Sequence, residues 1–160
     1  MVENNNIEHT CTFTGHRPEK LGADPEIVKE WLMEEIGKSV QEGYTDFITG
    51  MAKGVDLWAA EEVLRLKNIG AHLRLIAAVP FKYQERDWEP KWQEKYKRVL
   101  DDADEIHYIS NRPGRAAFFE RNEWMVDRAS KLIAVYTGKP GGTKQTIEYA
   151  KKLNRKIVIF

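Results

Sequence analysis

Three short segments of the sequence combine glycine with basic residues, two residue types that are common around bound phosphate groups. The segments are residues 14–18 (TGHRP), 49–56 (TGMAKGVD) and 136–143 (YTGKPGGT). Glycine lets the backbone approach a ligand closely, and the first amides of a helix carry partial positive charge. These segments therefore predict an anion site suited to phosphate. The ligand-binding residues predicted from them are Gly15, His16, Arg17, Gly50, Lys53, Gly54, Asp56, Gly141, Gly142 and Thr143.

The imidazole of His16 is the most versatile of these groups, because it can titrate near neutral pH. The neighbouring cation Arg17 favours the neutral ring, so we expect His16 to contact phosphate or pack in the turn rather than transfer a proton. Asp56 could accept hydrogen bonds from ribose hydroxyls, or it could cap the helix that follows it.

Other side chains could contact the remaining parts of a ligand. The guanidinium of Arg121 could clamp a phosphate, or it could pair on the surface with a nearby acid. Asn122 could bind a ligand or cap a turn, and Glu148 could accept from a ribose, act as acid or base, or be solvated. Phe81 directly follows a predicted strand and could stack on a base. Catalytic residues stay unassigned, with Arg121 and Glu148 as the candidates.

The elements that must position these residues alternate regularly along the chain. Strands are predicted at residues 10–14, 45–49, 72–79, 105–110, 132–136 and 156–160, and helices at about 25–42, 57–67, 91–100, 116–129 and 146–153. This alternation predicts an α/β protein, a three-layer Rossmann-like fold with a mostly parallel sheet and helices on both faces. The carboxyl ends of parallel strands share one edge, where ligands bind near the switch point in strand order. We therefore expect the three glycine segments to meet.

Composition limits the classes of partner. The chain has 160 residues, which suits one domain spanning 1–160, with residues 1–9 as a loose N-terminal segment. Its 25 basic and 25 acidic residues give no overall field for a polyanion, so we expect no nucleic-acid partner. Apolar stretches are too short to span a bilayer, and the N-terminus lacks the pattern of a signal peptide. A cytoplasmic protein without membrane contact is expected, and no metal site is predicted because no histidine has partners at ligand spacing.

Four quoted segments together resemble a known family. They are TFTGHRPEKLG, ITGMAKGVDLWAAE, AVPF and RNEWMVDRASKLIAVYTGKPGGTKQTIEYA, which follow one another from residue 12 to residue 150. In this combination the chain resembles the YpsA/YoqJ-like proteins of the SLOG superfamily, which are bacterial or phage proteins. The resemblance implies a Rossmann-like domain that binds nucleotides or nucleotide-derived ligands. The superfamily also contains the LOG phosphoribohydrolases and the single-strand DNA-binding protein DprA.

The match to the LOG enzymes is incomplete. Arg121 lies on the helix that carries an arginine in those enzymes, and residues 140–142 match the start of their PGGxGTxxE motif. Thr143 directly follows the glycine pair; if it is aligned with the threonine of the motif, Thr146 takes the place of the catalytic glutamate, and Glu148 lies five residues beyond Thr143 rather than three. This departure argues against hydrolysis of an N-glycosidic bond. The SGxxxGxD motif of DprA is similar to the pattern of Gly50, Gly54 and Asp56.

Three functions follow from these observations. The first is a sensor or binding protein for a nucleotide derivative such as an ADP-ribose-like molecule, with no certain cofactor. The second is a nucleotide-processing hydrolase like the LOG enzymes. The third is a single-stranded nucleic-acid or protein-interaction module like DprA, and association into a homo-oligomer remains open.

Overall fold

The computed structural model of the protein describes residues 6–160, which form one alternating series of strands and helices. The strands are β1 (Thr10–Gly15), β2 (Asp46–Thr49), β3 (Arg74–Val79), β4 (Glu105–Tyr108), β5 (Lys131–Val135) and β6 (Lys156–Ile159). The helices are α1 (Pro25–Gln41), α2 (Val55–Asn68), α3 (Pro90–Asp102), α4 (Arg115–Asp127) and α5 (Gly142–Lys152). Short 3-10 turns lie at Ile7–His9 and Pro18–Lys20. The order of elements predicted from the sequence is confirmed.

The six strands form one sheet in the order β4-β3-β2-β1-β5-β6, and every pair is parallel. The chain therefore builds outward from β1 to β4 and then crosses back, so that β5 lies on the other side of β1. The switch in strand order falls between β1 and β5. A ligand site is expected at the carboxyl ends of these two strands.

Alternate side chains of each strand supply the two apolar layers. Helices α1, α2 and α3 pack on one face against residues such as Phe13, Phe47 and Leu75. Helices α4 and α5 pack on the other face, where Leu132 and Ile48 are buried. Strands buried on both faces read as continuous apolar runs, which is why β3 and β5 are clear in the sequence. The three-layer Rossmann-like architecture is confirmed.

Two helices begin earlier than the sequence predicts. Helix α2 begins at Val55 with Gly54 as its N-cap, so Asp56 lies inside the first turn and is not the N-cap. Helix α5 begins at Gly142, four residues before the predicted start. Both starts follow a glycine with positive φ, at Gly54 and Gly141. Glycine is a poor helix former, so helical periodicity alone places the start too late.

Two further expectations concern surfaces and termini. Of the segment 1–9 predicted to be loose, residues 1–5 lie outside the described residues, and residues 7–9 form a 3-10 turn whose Ile7 carbonyl accepts a hydrogen bond from the Ser130 amide. The apolar side chains of Met125 and Val126 on α4 are buried in the core and are therefore not available for association into a homo-oligomer. Among residues 6–160, no helix is long and apolar enough to cross a membrane.

Candidate functional site

A cleft of about 400 Å³ lies at the carboxyl ends of β1 and β5, where the strand order switches. Its walls come from the end of β1, the turns that precede α1 and α2, the first half of α4, and the glycine segment that opens α5. The lining residues predicted from the sequence are Gly15, His16, Arg17, Asp56, Arg121, Asn122, Gly141, Gly142 and Thr143. The structure thus brings all three glycine segments to one edge.

Gly15 and Gly50 both lie where an added side chain would collide with neighbouring side chains. A Cβ on Gly15 would lie 2.4 Å from a methyl group of Val55, so this glycine lets α2 start directly against the end of β1. A Cβ on Gly50 would lie 2.7 Å from Asp56 Oδ2 and 3.0 Å from Arg121 Nη1. Gly50 therefore makes room for a buried acid and a buried base and does not itself line the cleft.

Arg121 is the central cation of the cleft. Its side chain is only 5% exposed, which excludes the surface ion pair that the sequence left open. Nη1–H donates to the carbonyl of Gly50, and Nε–H donates to Asn122 Oδ1 at 2.8 Å. Nη2 has no hydrogen-bond partner among the described residues. Arg121 thus keeps unused donor capacity at the wall of a cleft.

The electrostatics of this region are dominated by burial. Burial lowers the pKa of the Arg121 guanidinium; Asp56 opposes this effect and Arg17 adds to it. Burial raises the pKa of the Asp56 carboxyl, while Arg121, the Ala52 amide and Arg17 oppose the rise. Each charge is therefore incompletely neutralised by its surroundings. An anion entering the cleft would add attraction that the protein does not supply by itself.

His16 connects the first glycine segment to the third. Its Nε2 accepts a hydrogen bond of 3.2 Å from the amide of Thr137, so this nitrogen carries no proton. Burial lowers the pKa of the imidazole, and Lys139 and Lys20 lower it further. The neutral ring expected from the sequence is present, but these lysines, rather than Arg17, are the cations responsible.

The start of α5 supplies backbone donors. Gly141 precedes the helix with φ of 137°, a conformation that favours glycine, and Gly142 and Thr143 are its first residues. The amides of a first helical turn have no partner within the helix and carry partial positive charge. Because Gly141, Gly142 and Thr143 line the cleft together with the buried Arg121, these amides and the guanidinium face one space.

Five predicted site residues lie outside the lining of this cleft: Gly50, Lys53, Gly54, Phe81 and Glu148. Lys53 turns away, with Nζ 3.5 Å from Glu89 and 5.9 Å from the ring centre of Trp88. A Cβ on Gly54 would meet Pro18 at 3.0 Å, so the lack of a side chain there serves packing. The ring of Phe81 packs edge-on against the ring of Phe118, which lines the cleft, with the ring centres 5.6 Å apart.

Glu148 lies in a second cavity of about 360 Å³, which we name the α4–α5 groove. Its lining residues are Phe119, Asn122, Glu123, Gln145, Thr146, Glu148, Tyr149 and Lys152. Thr146, which falls on the LOG glutamate when the threonine of the motif is aligned on Thr143, is buried, and its hydroxyl donates to the Gly142 carbonyl at 2.7 Å. Counted from Pro140 instead, the last position of PGGxGTxxE falls on Glu148, which lines the α4–α5 groove.

Three further residues of α4 line the cleft, Arg115, Phe118 and Phe119, and neither phenylalanine was among the predicted ligand-binding residues. The Phe118 ring lies between two guanidiniums, 5.4 Å from Arg17 and 5.6 Å from Arg121. Arg115 lies 5.6 Å from the Phe119 ring. The sequence carries a signal for this wall, since RAAFFER alternates basic and aromatic residues at helical spacing. Such cation–π pairs hold guanidiniums in place while leaving their edges free to bind.

Taken together, the cleft has four cationic side chains, Arg17, Lys20, Arg115 and Arg121, against two acidic ones, Glu19 and Asp56. It also has the first turn of α5 and the rings of Phe118 and Phe119 on α4. This set can bind an anion and a flat group next to it. Among residues 6–160, no group of three or more His, Cys, Asp or Glu side chains could hold a metal ion.

Comparison of the sequence with known proteins gives a consistent family. The family model named YpsA, described as "YspA SLOG family", matches residues 11–158. The chain is 33% identical to UPF0398 protein BH1768 of Halalkalibacterium halodurans over 150 residues, which covers 88% of this chain and 79% of the relative. It is 38% identical to the uncharacterized SPbeta prophage-derived protein YoqJ of Bacillus subtilis over 138 residues, covering 78% of this chain and 81% of the relative.

Solved structures share the fold at low sequence identity. DNA processing protein A from Helicobacter pylori, described with a single-stranded DNA binding mode, matches 98% of this chain and 68% of its own, with a TM-score of 0.65 and 15% identity. DprA from Streptococcus pneumoniae matches 96% of this chain with a TM-score of 0.64 and 16% identity, and this chain spans about half (51%) of it. The structure of TM1055 matches 92% of this chain and 71% of its own, with a TM-score of 0.58 and 13% identity.

Proposed function

The chain belongs to the YpsA SLOG family, and from this premise we propose that its cleft binds the phosphate-bearing part of a nucleotide or nucleotide derivative, such as an ADP-ribose-like molecule. The protein acts as a binding protein or sensor for that ligand. A cytoplasmic location fits such a ligand and belongs to the same proposal.

The observation that carries this proposal is the state of Arg121. A buried guanidinium whose burial lowers its pKa, and whose Nη2 has no partner in residues 6–160, is costly for the protein alone. A phosphate oxygen would accept from this donor and supply the missing negative charge. The glycine-flanked start of α5 lies along the same wall and favours the same class of ligand.

Calorimetric titration of the purified protein with AMP, ADP-ribose and inorganic pyrophosphate tests the proposal. Arg121→Lys keeps the charge but removes the planar fork, and we expect it to weaken binding of each bound probe by about 10–100-fold. Arg98→Gln is the matched control, because Arg98 is exposed on α3 and outside the cleft, and it should bind like the parent. Absence of binding by all three probes, or equal affinity in Arg121→Lys, would refute the proposal.

The same titrated samples distinguish binding from hydrolysis. Mass spectrometry of each probe after incubation should return the intact molecule, because Thr146 supplies no carboxylate where the alignment on Thr143 places the LOG glutamate. Release of free base would instead support an enzyme of the LOG type, with Glu148 or Asp56 as the acid or base to be tested next.

A second candidate function is binding of single-stranded DNA, which the shared fold with the two DprA structures favours. Cationic and aromatic side chains that alternate along α4 are of the type that contacts single strands. Filter binding of an oligothymidine at two salt concentrations tests this function. We expect weak retention that Arg17→Gln does not change, whereas salt-sensitive, Arg17-dependent retention would favour the DNA-binding function.

A further inference from the structure

The cleft and the α4–α5 groove are neighbouring spaces with a common wall. Phe119 and Asn122 line both of them. Their volumes, about 400 and about 360 Å³, together fall within the range of ligand pockets in proteins. The phosphate-binding features described above all belong to the cleft. The groove therefore offers space for a part of the ligand that is not phosphate.

Asn122 stands at the junction with a defined orientation. Its Oδ1 accepts from Arg121 Nε–H at 2.8 Å, and because Nε is only a donor, the bonded atom must be the amide oxygen. The amide nitrogen then lies on the Gly142 side, where a Cβ on Gly142 would be 3.7 Å from it. Any side chain at position 142 would narrow this junction. Among residues 6–160, Nδ2 has no hydrogen-bond partner, and it lies next to the passage between the two spaces.

The groove has the surface that a nucleoside requires. The Phe119 ring is half-buried and forms one wall, while the Tyr149 ring forms another, with its hydroxyl donating to Asp127 Oδ1 at 2.6 Å. Glu148 is exposed and has no hydrogen bond or ion pair among the described residues. A free carboxylate is a good acceptor for a ribose diol, and an aromatic face is a good surface for a base.

We infer that the α4–α5 groove binds the nucleoside part of a nucleotide whose phosphate lies in the cleft, with Phe119 contacting the base and Glu148 accepting from the ribose. This inference rests on the proposed function. It names the ligand class more narrowly, as nucleoside phosphates rather than simple sugar phosphates. In this arrangement Glu148 binds the ribose of the ligand, although it lies outside the cleft.

Titration with AMP and with ribose 5-phosphate tests the inference, because the two probes share the phosphate and the sugar but only AMP has a base. The parent should bind AMP at least about tenfold more tightly than ribose 5-phosphate. Phe119→Ala should weaken AMP about tenfold and leave ribose 5-phosphate within twofold. Glu148→Gln should weaken both probes by about threefold or more, since both have ribose hydroxyls.

Glu120→Gln is the matched control, because Glu120 is exposed on α4 and lines neither space, and its affinities should equal those of the parent. If circular dichroism shows that Phe119→Ala does not fold, Phe119→Leu replaces it and should still weaken AMP selectively. AMP binding that is unchanged by every groove variant but reduced in Arg121→Lys would overturn this inference and leave the proposed function standing. Failure of AMP and ribose 5-phosphate to bind the parent would overturn this inference, and the proposed function would fall with it only if ADP-ribose and pyrophosphate also fail to bind.

Discussion

One buried cation lies at the amino ends of the strands and another at the carboxyl ends, and the two differ in their hydrogen-bond partners. At the amino ends of the strands, Lys131 of β5 is 1% exposed, and its Nζ lies 2.7 Å from Ser39 Oγ and 3.1 Å from Glu42 Oε1. At the carboxyl ends, Arg121 is 5% exposed, and both of its hydrogen bonds go to uncharged oxygen atoms. The first cation has a bonded carboxylate, whereas the second has spare capacity and borders a cleft.

Under the proposed function, this difference separates a structural charge, Lys131, from a binding charge, Arg121. Hydrogen bonds from Lys156 and Lys131 lower the pKa of Glu42, so the carboxylate beside Lys131 is held ionised. Near Arg121, burial raises the pKa of Asp56, so the acid whose charge acts on Arg121 is itself disfavoured as an anion. Removing one partner of a buried ion pair is destabilising, and a buried cation without a bonded carboxylate favours an external anion.

The largest expected effect is a loss of stability on substitution of Lys131, the buried cation that has a bonded carboxylate. Lys131→Ala removes the buried stem and the bonds to Ser39 and Glu42, and should lower the free energy of unfolding by about 3 kcal/mol. Lys131→Met keeps most of the volume and should cost roughly 1 kcal/mol. Urea denaturation gives both values, and AMP affinity of the folded variants should stay at the parent level. Loss of AMP binding in Lys131→Met would show that the two edges are not independent.

A smaller effect is expected where Gly50 faces the cleft residues. Gly50→Ala places a Cβ 2.7 Å from Asp56 Oδ2 and 3.0 Å from Arg121 Nη1, so both side chains must shift. We expect a stability loss of about 1–3 kcal/mol together with at least tenfold weaker AMP binding. Gly37→Ala is the matched control, since a Cβ there meets nothing within 4 Å and should stabilise α1 by about 0.5–1 kcal/mol. If Gly50→Ala destabilises without changing affinity, Arg121 does not bind the anion.

The smallest effect concerns His16, which ties the cleft segments together. Burial, Lys139 and Lys20 lower its pKa below the ordinary 6.5, so between these two pKa values only the unfolded chain binds the proton. The contribution of His16 to stability is therefore complete above pH 6.5 and is lost as pH falls towards the folded-state pKa. The loss reaches at most about 1.4 kcal/mol per pH unit within that window.

Urea denaturation of the parent and of His16→Gln between pH 7.5 and pH 5 measures this difference. The parent should lose stability more steeply below pH 6.5 than the variant, which has no titrating ring. Parallel curves for the two proteins would mean that the Thr137 amide does not hold His16 in its neutral form. The amino edge offers a contrast, because the pKa of Cys11 there is raised to about 12 by burial and the thiol does not titrate in this range.

Much of the fold follows from local patterns. The side chain of Asp24 accepts a hydrogen bond from the Glu26 amide at 2.9 Å at the start of α1, and an acid followed by proline and a second acid is typical of a helix start. The apolar runs that mark β3 and β5 in the sequence are buried. The strand order could not be obtained this way, because periodicity reports which faces are buried and not which strands are neighbours.

The residues of the candidate site also fall into two groups: those that the sequence places correctly and those whose position only the tertiary structure decides. Residues such as His16, Gly141 and Gly142 line the cleft because the carboxyl ends of parallel strands must share an edge, and alternation of elements already implies this. Lys53 and Gly54 belong to the right segment but contact Glu89 and Pro18, since the direction of a side chain in a turn depends on its neighbours in space. Phe118 and Phe119 were not among the predicted site residues because apolar side chains on a helix usually indicate core.

From the chain of amino acids alone come the Rossmann-like architecture, the single edge shared by three glycine segments and the prediction of an anion site. The roles of individual residues come from packing. Gly50 and Arg121 are 71 residues apart and form their contact only because α4 lies across the ends of the central strands. Burial in that contact shifts the pKa of both Arg121 and Asp56. Local patterns encode propensity and periodicity, whereas burial of a charge depends on which distant segments exclude water from it.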